Sequence, residues 1–185
     1  MLRATFIGID KHEDPQIRDL TGARRDAQAL WALFCDTIPD IEASIHTDEA
    51  ATVASIRQAL DDTLGAAGPE DVVIISFSGH GTHDHRIVTF DSAIDALADT
   101  TIPMEELATR FKESSARAVL CILDCCFSGG APARVLENSP ISRDPGFPLE
   151  ALAGKGRILI SVVLQKIFWL QLVVLKSQQL PQYLV

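Results

Sequence analysis

Four short apolar runs constrain this chain more than any other feature: Leu2–Ile9, VVIISF at 72–77, AVLCILD at 118–124 and RILISVV at 157–163. They are rich in β-branched residues and lack polar alternation, as strands covered on both faces do. A shorter strand is expected near Ala43–His46. Between the runs the apolar spacing becomes helical. Ala23, Ala27, Leu30 and Phe34 share one face, as do Val53, Ile56, Leu60 and Leu64 behind a Thr52 N-cap. The breaker Gly68-Pro69 ends the second helix, and Arg86–Phe90 reads as a hairpin. Pro103 reads as the first residue of a third helix, with Glu105 and Glu106 favourably placed in its first turn. Strands alternating with helices imply right-handed crossovers. The expected fold is α/β, a mainly parallel sheet with helices on both faces.

The length of 185 residues suits one domain with a sizeable core, and the 47% hydrophobic, 22% charged composition is globular. A net charge of −9, with scattered basic residues, argues against nucleic acid as the main partner. The four cysteines (Cys35, Cys121, Cys125, Cys126) include an adjacent pair and do not make a disulfide framework. The first apolar run is too short for a signal peptide, so the expected setting is cytoplasmic with reduced thiols.

In parallel sheets the functional crevice lies beyond the carboxyl ends of the strands. SGHG follows VVIISF there, and a double cysteine follows AVLCILD. If these strands are neighbours, about 4.8 Å apart, the histidine can serve a cysteine. The imidazole holds the thiol deprotonated and later protonates a leaving amine. Gly79 and Gly81 around His80 allow close backbone approach, and backbone N–H groups can stabilise an oxyanion. That is cysteine-dependent acyl transfer, most simply peptide hydrolysis. Alternation along a strand sends Cys125 and Cys126 to opposite faces, so one packs while the other works.

These residues carry a resemblance. FSGHG (Phe77–Gly81) matches the histidine motif of the caspase and metacaspase clan of cysteine peptidases, in its bacterial caspase-like branch. DCCFSG (Asp124–Gly129) resembles the metacaspase cysteine motif, and LTGARRDAQAL (Leu20–Leu30) is similar to the family's first helix. The resemblance covers about residues 2–161 and implies a caspase-like three-layer fold, with 1–161 as the large-subunit-like part of the peptidase domain. It also implies Cys126 as nucleophile, His80 as base, and the backbone N–H groups of Cys126 and Gly81 as oxyanion hole. Metacaspases line the specificity pocket with two carboxylates and a serine, which match Asp26, Asp124 and Ser78. Paired carboxylates bind guanidinium or ammonium and repel an acidic side chain. The expected protein or peptide substrate is therefore cut after Arg or Lys, whereas caspases cutting after Asp use a basic pocket.

No cofactor is expected. Calcium activates many metacaspases, but Asp84, Asp91, Asp95 and Asp99 are spread along a loop without an EF-hand pattern. His80, His83 and His85 match no zinc-ligand spacing. The tail from Val162 to Val185 has no Asp or Glu, and it matches nothing in the family. Three readings of it compete: a truncated or frame-shifted end, an added helix on an exposed sheet edge, or a membrane-associating segment. Gln165, Lys166 and Gln171 interrupt it and argue against a span. The tail also motivates a competing function, a catalytically impaired caspase-like interaction module. A further alternative is another Cys–His acyl-transfer enzyme on an α/β sheet. Arg134 and Arg143, after the nucleophile motif, are candidate self-cleavage points.

Overall fold

The structure, a computed structural model, describes residues 1–82, 84–125, 156–164 and 170–174. In chain order the elements are β1 (Leu2–Gly8), α1 (Ala23–Thr37), β2 (Glu42–Thr47), α2 (Val53–Leu60), β3 (Val72–Ser78) and β4 (Arg86–Val88). They continue with α3 (Leu97–Thr100), β5 (Thr101–Pro103), α4 (Met104–Glu113), β6 (Ala118–Asp124), β7 (Arg157–Leu164) and β8 (Leu170–Val174). The main sheet runs β2-β1-β3-β6-β7-β8. Its first five strands are parallel, and β8 lies antiparallel to β7.

Helices cover both faces, and strand alternation decides which residues meet them. Ala4 and Phe6 of β1 and Ile74 of β3 pack with Ala27, Leu30 and Phe34 of α1. The intervening residues, Ile7, Val73, Ile75 and Phe77, join Ile56 and Leu60 of α2 and Leu107 and Phe111 of α4 on the other face. Burying each such large apolar side chain stabilises the fold by about 1.5–3 kcal/mol. The result is the three-layer α/β arrangement expected from the alternating runs.

β3 is buried at every position after Val72, as its apolar run predicts. β6 differs: Val119, Cys121 and Leu123 are buried, while Leu120, Ile122 and Asp124 are partly open. A continuous apolar run therefore overstates the burial of β6. Leu120 is the β6 residue in the cluster beneath α1, which packs mainly over β1, β2 and β3.

Thr52 caps α2 through its Oγ1, which accepts the Ser55 N–H at 3.2 Å. Helical structure continues through a π turn at Asp61–Gly65, where Leu64 is buried, and stops before Gly68-Pro69. Arg57 of α2 donates to the Glu106 carboxylate of α4 and ties the two helices, while Arg110 donates to the same carboxylate from within α4. Gly8 has no room for a side chain: a Cβ there would lie 2.3 Å from the Ala23 carbonyl oxygen and 2.6 Å from the Ala27 Cβ. The end of β1 thus carries the first turn of α1 directly on its backbone.

Two local expectations need correction. Arg86–Phe90 is not a hairpin in itself; Arg86–Val88 is one strand of a small ribbon. It pairs with β5 on one side and bridges to Gly81 on the other. Pro103 ends β5 and caps α4, which begins at Met104. Its ψ of 144 is extended, so it precedes the helix rather than starting it. The described part of the tail, Leu170–Val174, is strand and not helix. Among the described residues no helix is long and apolar enough to cross a membrane.

Candidate active site

The carboxyl ends of β1, β3 and β6 are in register. Gly8 pairs with Ser78, and Ser78 pairs with Asp124. Ser78 and Asp124 share the α1 face, because they continue the alternation set by Ile74 and Leu120. Beyond this line Gly79 donates its N–H to the Asp124 carbonyl at 3.3 Å. Gly79 is required by space rather than by an unusual φ: a Cβ would meet the Phe77 ring at 2.8 Å.

His80 follows and is 2% exposed. Its Nε2–H donates to the Arg18 carbonyl at 2.6 Å. A carbonyl can only accept, so this bond places the ring proton on Nε2 and leaves the Nδ1 lone pair bare. Nδ1 is buried and has no hydrogen-bond partner among the described residues. The Ser78 hydroxyl, just before it, is in the same condition. Buried polar atoms are nearly always bonded, so two such atoms at the end of one strand mark a place built for something other than stability.

The backbone after His80 is fixed by β4. Val88 donates to the His80 carbonyl at 3.1 Å, and Thr82 donates to the Arg86 carbonyl at 3.0 Å. Gly81 bridges Ile87 between these two bonds. In an antiparallel pair the residue so placed turns its own N–H away from the partner strand. The Gly81 N–H is therefore available to a group on the other side.

Cys125 ends the described part of this region. It is buried with Cys121 and Leu123 in the core beneath α2 and α4. Burial raises the pKa of the Cys121 thiol far above its ordinary value. Cys126, like His83, Arg134 and Arg143, lies outside the described residues.

Asp26 sits in the first turn of α1, with a 44% exposed side chain 4.0 Å from Arg25. It lines a groove with Arg18, Asp19, Leu20, Thr21, Gly22 and Arg25. The Arg18 carbonyl that holds His80 belongs to the same stretch, so the groove adjoins the histidine anchor. The structure brings Ser78, His80, Gly81 and Asp124 together on adjoining strand ends, with Asp26 in this neighbouring groove. Of the acidic residues weighed for calcium, Asp91 has a structural role. Its carboxylate accepts the Val53 N–H at 2.9 Å and the Thr89 hydroxyl at 2.7 Å, at the start of α2.

Sequence reasoning missed the loop after β1, residues 9–22. Asp48, 3% exposed, accepts the N–H groups of Asp10 at 2.9 Å and Lys11 at 3.1 Å and receives Arg24 at 3.3 Å. The Asp10 carboxylate accepts the N–H groups of Gly22 and Ala23 at 2.9 and 2.8 Å, capping α1 from outside the helix. Asp14 accepts the Ile94 N–H at 2.8 Å, and this bond lowers its pKa. These anchors carry Arg18 to His80 and set the His12 ring beside it, with centroids 5.4 Å apart. A backbone carbonyl has no signature in a sequence. The only available hint was three aspartates in and around a loop that leaves a strand end.

Comparison with known proteins bears on the fold and the family. No curated protein matches the chain. Among solved structures, protein GSU0716 from Geobacter sulfurreducens is similar in fold at a TM-score of 0.61 and 16% identity, covering 87% of this chain and 72% of that one. The family model of the caspase domain matches residues 1–166. The chain therefore belongs to the caspase-domain family of cysteine peptidases.

Proposed function

We propose that this protein is a cysteine endopeptidase that cleaves after Arg or Lys through Cys126 and His80. The observation that carries this reading is His80 itself: a buried imidazole, anchored through Nε2, with Nδ1 bare at the end of β3. Nδ1 takes the Cys126 thiol proton as sulfur attacks the scissile carbonyl carbon. The resulting imidazolium returns that proton to the leaving amine, giving an acyl-enzyme that water hydrolyses. The outward Gly81 N–H supports its assignment, with the Cys126 N–H, to the oxyanion.

The preference for Arg or Lys rests on Asp124 and Ser78 side by side at the strand ends and Asp26 in the adjoining groove. An acidic side chain would meet like charge there. Thiol–imidazole chemistry of this kind requires no cofactor. Calcium belongs in the test as a variable.

Two fluorogenic peptides that differ only in Arg or Asp before the scissile bond test the reading, with and without calcium. Arg should be cleaved and Asp not, and Cys126→Ala should abolish turnover. Preference for Asp would overturn the specificity, and undiminished turnover by Cys126→Ala would overturn the nucleophile. If the wild type cleaves neither peptide and all cysteines alkylate equally slowly, the chain is an interaction module.

A further inference from the structure

His12 has no part in the mechanism above, yet its surroundings are unusual. Its ring lies 5.4 Å from the His80 ring, centroid to centroid, with the planes inclined by 39°. This tilted contact is the packing of two aromatic faces. Both His12 nitrogens are buried and lack a hydrogen-bond partner among the described residues.

The charged groups that face His12 are Asp19, Asp48, Asp10, Asp14 and the His80 ring when protonated. Asp14 accepts the backbone N–H groups of Ile94 and Gln16. Each carboxylate is already engaged. Lys11 donates to Asp19. Arg24 and two backbone N–H groups bond Asp48. Asp10 caps α1. These carboxylates favour a His12 cation, but burial outweighs them, with repulsion from His80 next. The His12 pKa falls to about 4.

We propose that His12 is a positioning residue for the reaction, packing an uncharged ring against His80 so that the two histidines form a coupled pair. This inference rests on the role of His80 proposed above. The reaction needs one proton, taken from the thiol and delivered to the leaving amine. A neutral His12 ring supports the His80 ring in the orientation set by Arg18 without competing for that proton. A second charge in the pair would repel the first.

Proton NMR titration of the imidazole C2–H signals tests the coupling without requiring any peptidase activity. The His12 signal is identified by its loss in His12→Phe. It should titrate near pH 4 in the wild type and move to higher pH in His80→Gln, where the repelling partner is gone. An unchanged midpoint overturns the pair.

Positioning is tested by the pH profile of Arg-peptide cleavage. His12→Ala should lower kcat about tenfold with little change in KM and displace the acid limb, since water then reaches His80. His12→Phe, which restores an uncharged ring, should recover most of that loss. Equal losses in both variants, or no loss in His12→Ala, overturn the positioning role. A wild type that cleaves no peptide would refute the peptidase reading, and the titration would still decide whether the histidines are coupled.

Discussion

The segments that leave β3 and β1 meet at His80, but they are built in different ways. After β3 the chain reaches its histidine in two residues, and strand pairing does the positioning. Ser78 is in register with Gly8 and Asp124, and β4 then holds the His80 and Thr82 backbone. After β1 the chain wanders through residues 9–22 and is held by carboxylates: Asp48 bonds Asp10 and Lys11, Asp10 bonds Gly22 and Ala23, and Asp14 bonds Ile94. One segment presents the reactive ring; the other orients it. A strand end places a side chain through local geometry, whereas a long loop needs buried anchors to present a single carbonyl.

The contrast breaks most severely at the ring. His80→Gln keeps a donor for the Arg18 carbonyl but loses the proton-accepting nitrogen. Cleavage of an Arg peptide should fall by about a thousandfold or more while the protein stays folded. Initial rates within tenfold of wild type would remove His80 from the chemistry.

Asp48→Ala tests the loop side. It removes two charge-assisted bonds to backbone N–H groups and strands their donors, so the urea unfolding free energy should fall by about 2–3 kcal/mol. Cleavage should weaken by less than in His80→Gln, because the ring survives and only its orientation loosens. Unchanged stability would show that the loop does not depend on this anchor.

The smallest expected effect lies at the amino end of β3, away from the site. Asp71 accepts from the N-terminal ammonium, from the Gly68 N–H and from Arg3, and its pKa falls to about 2, chiefly through the ammonium. A carboxylate with a depressed folded pKa contributes stability above its unfolded value, near 4, and loses it as pH falls toward 2. Asp71→Asn should therefore flatten the acid side of the urea-midpoint profile and leave the cleavage rate at neutral pH unchanged. An equally steep acid loss in the variant would refute the assignment, and a fall in cleavage would show that the two ends of β3 are coupled.

Some of this organisation was legible residue by residue. VVIISF is a buried strand because nothing in it needs water, and Ala23, Ala27, Leu30 and Phe34 mark the face of α1 that meets the sheet. The adjacent cysteines could be divided by alternation, and Cys125 does pack in the core. AVLCILD misled in part, since apolar character alone does not say whether a helix covers the second face. Arg86–Phe90 misled as well, because its partners are Gly81 and Thr101–Pro103 rather than its own chain neighbours.

The sequence by itself determined the α/β alternation, the helix faces and the presence of SGHG and DCC at the exits of two core strands. These follow from local periodicity and from the chemistry of single side chains. Only the tertiary structure decided which nitrogen of His80 is bare, because that depends on a carbonyl 62 residues earlier in the chain. It alone decided that His12 lies against that ring. Both outcomes are set by the path of the loop after β1, and that path is fixed by Asp48 and Asp10 binding backbone N–H groups that no side-chain pattern reveals.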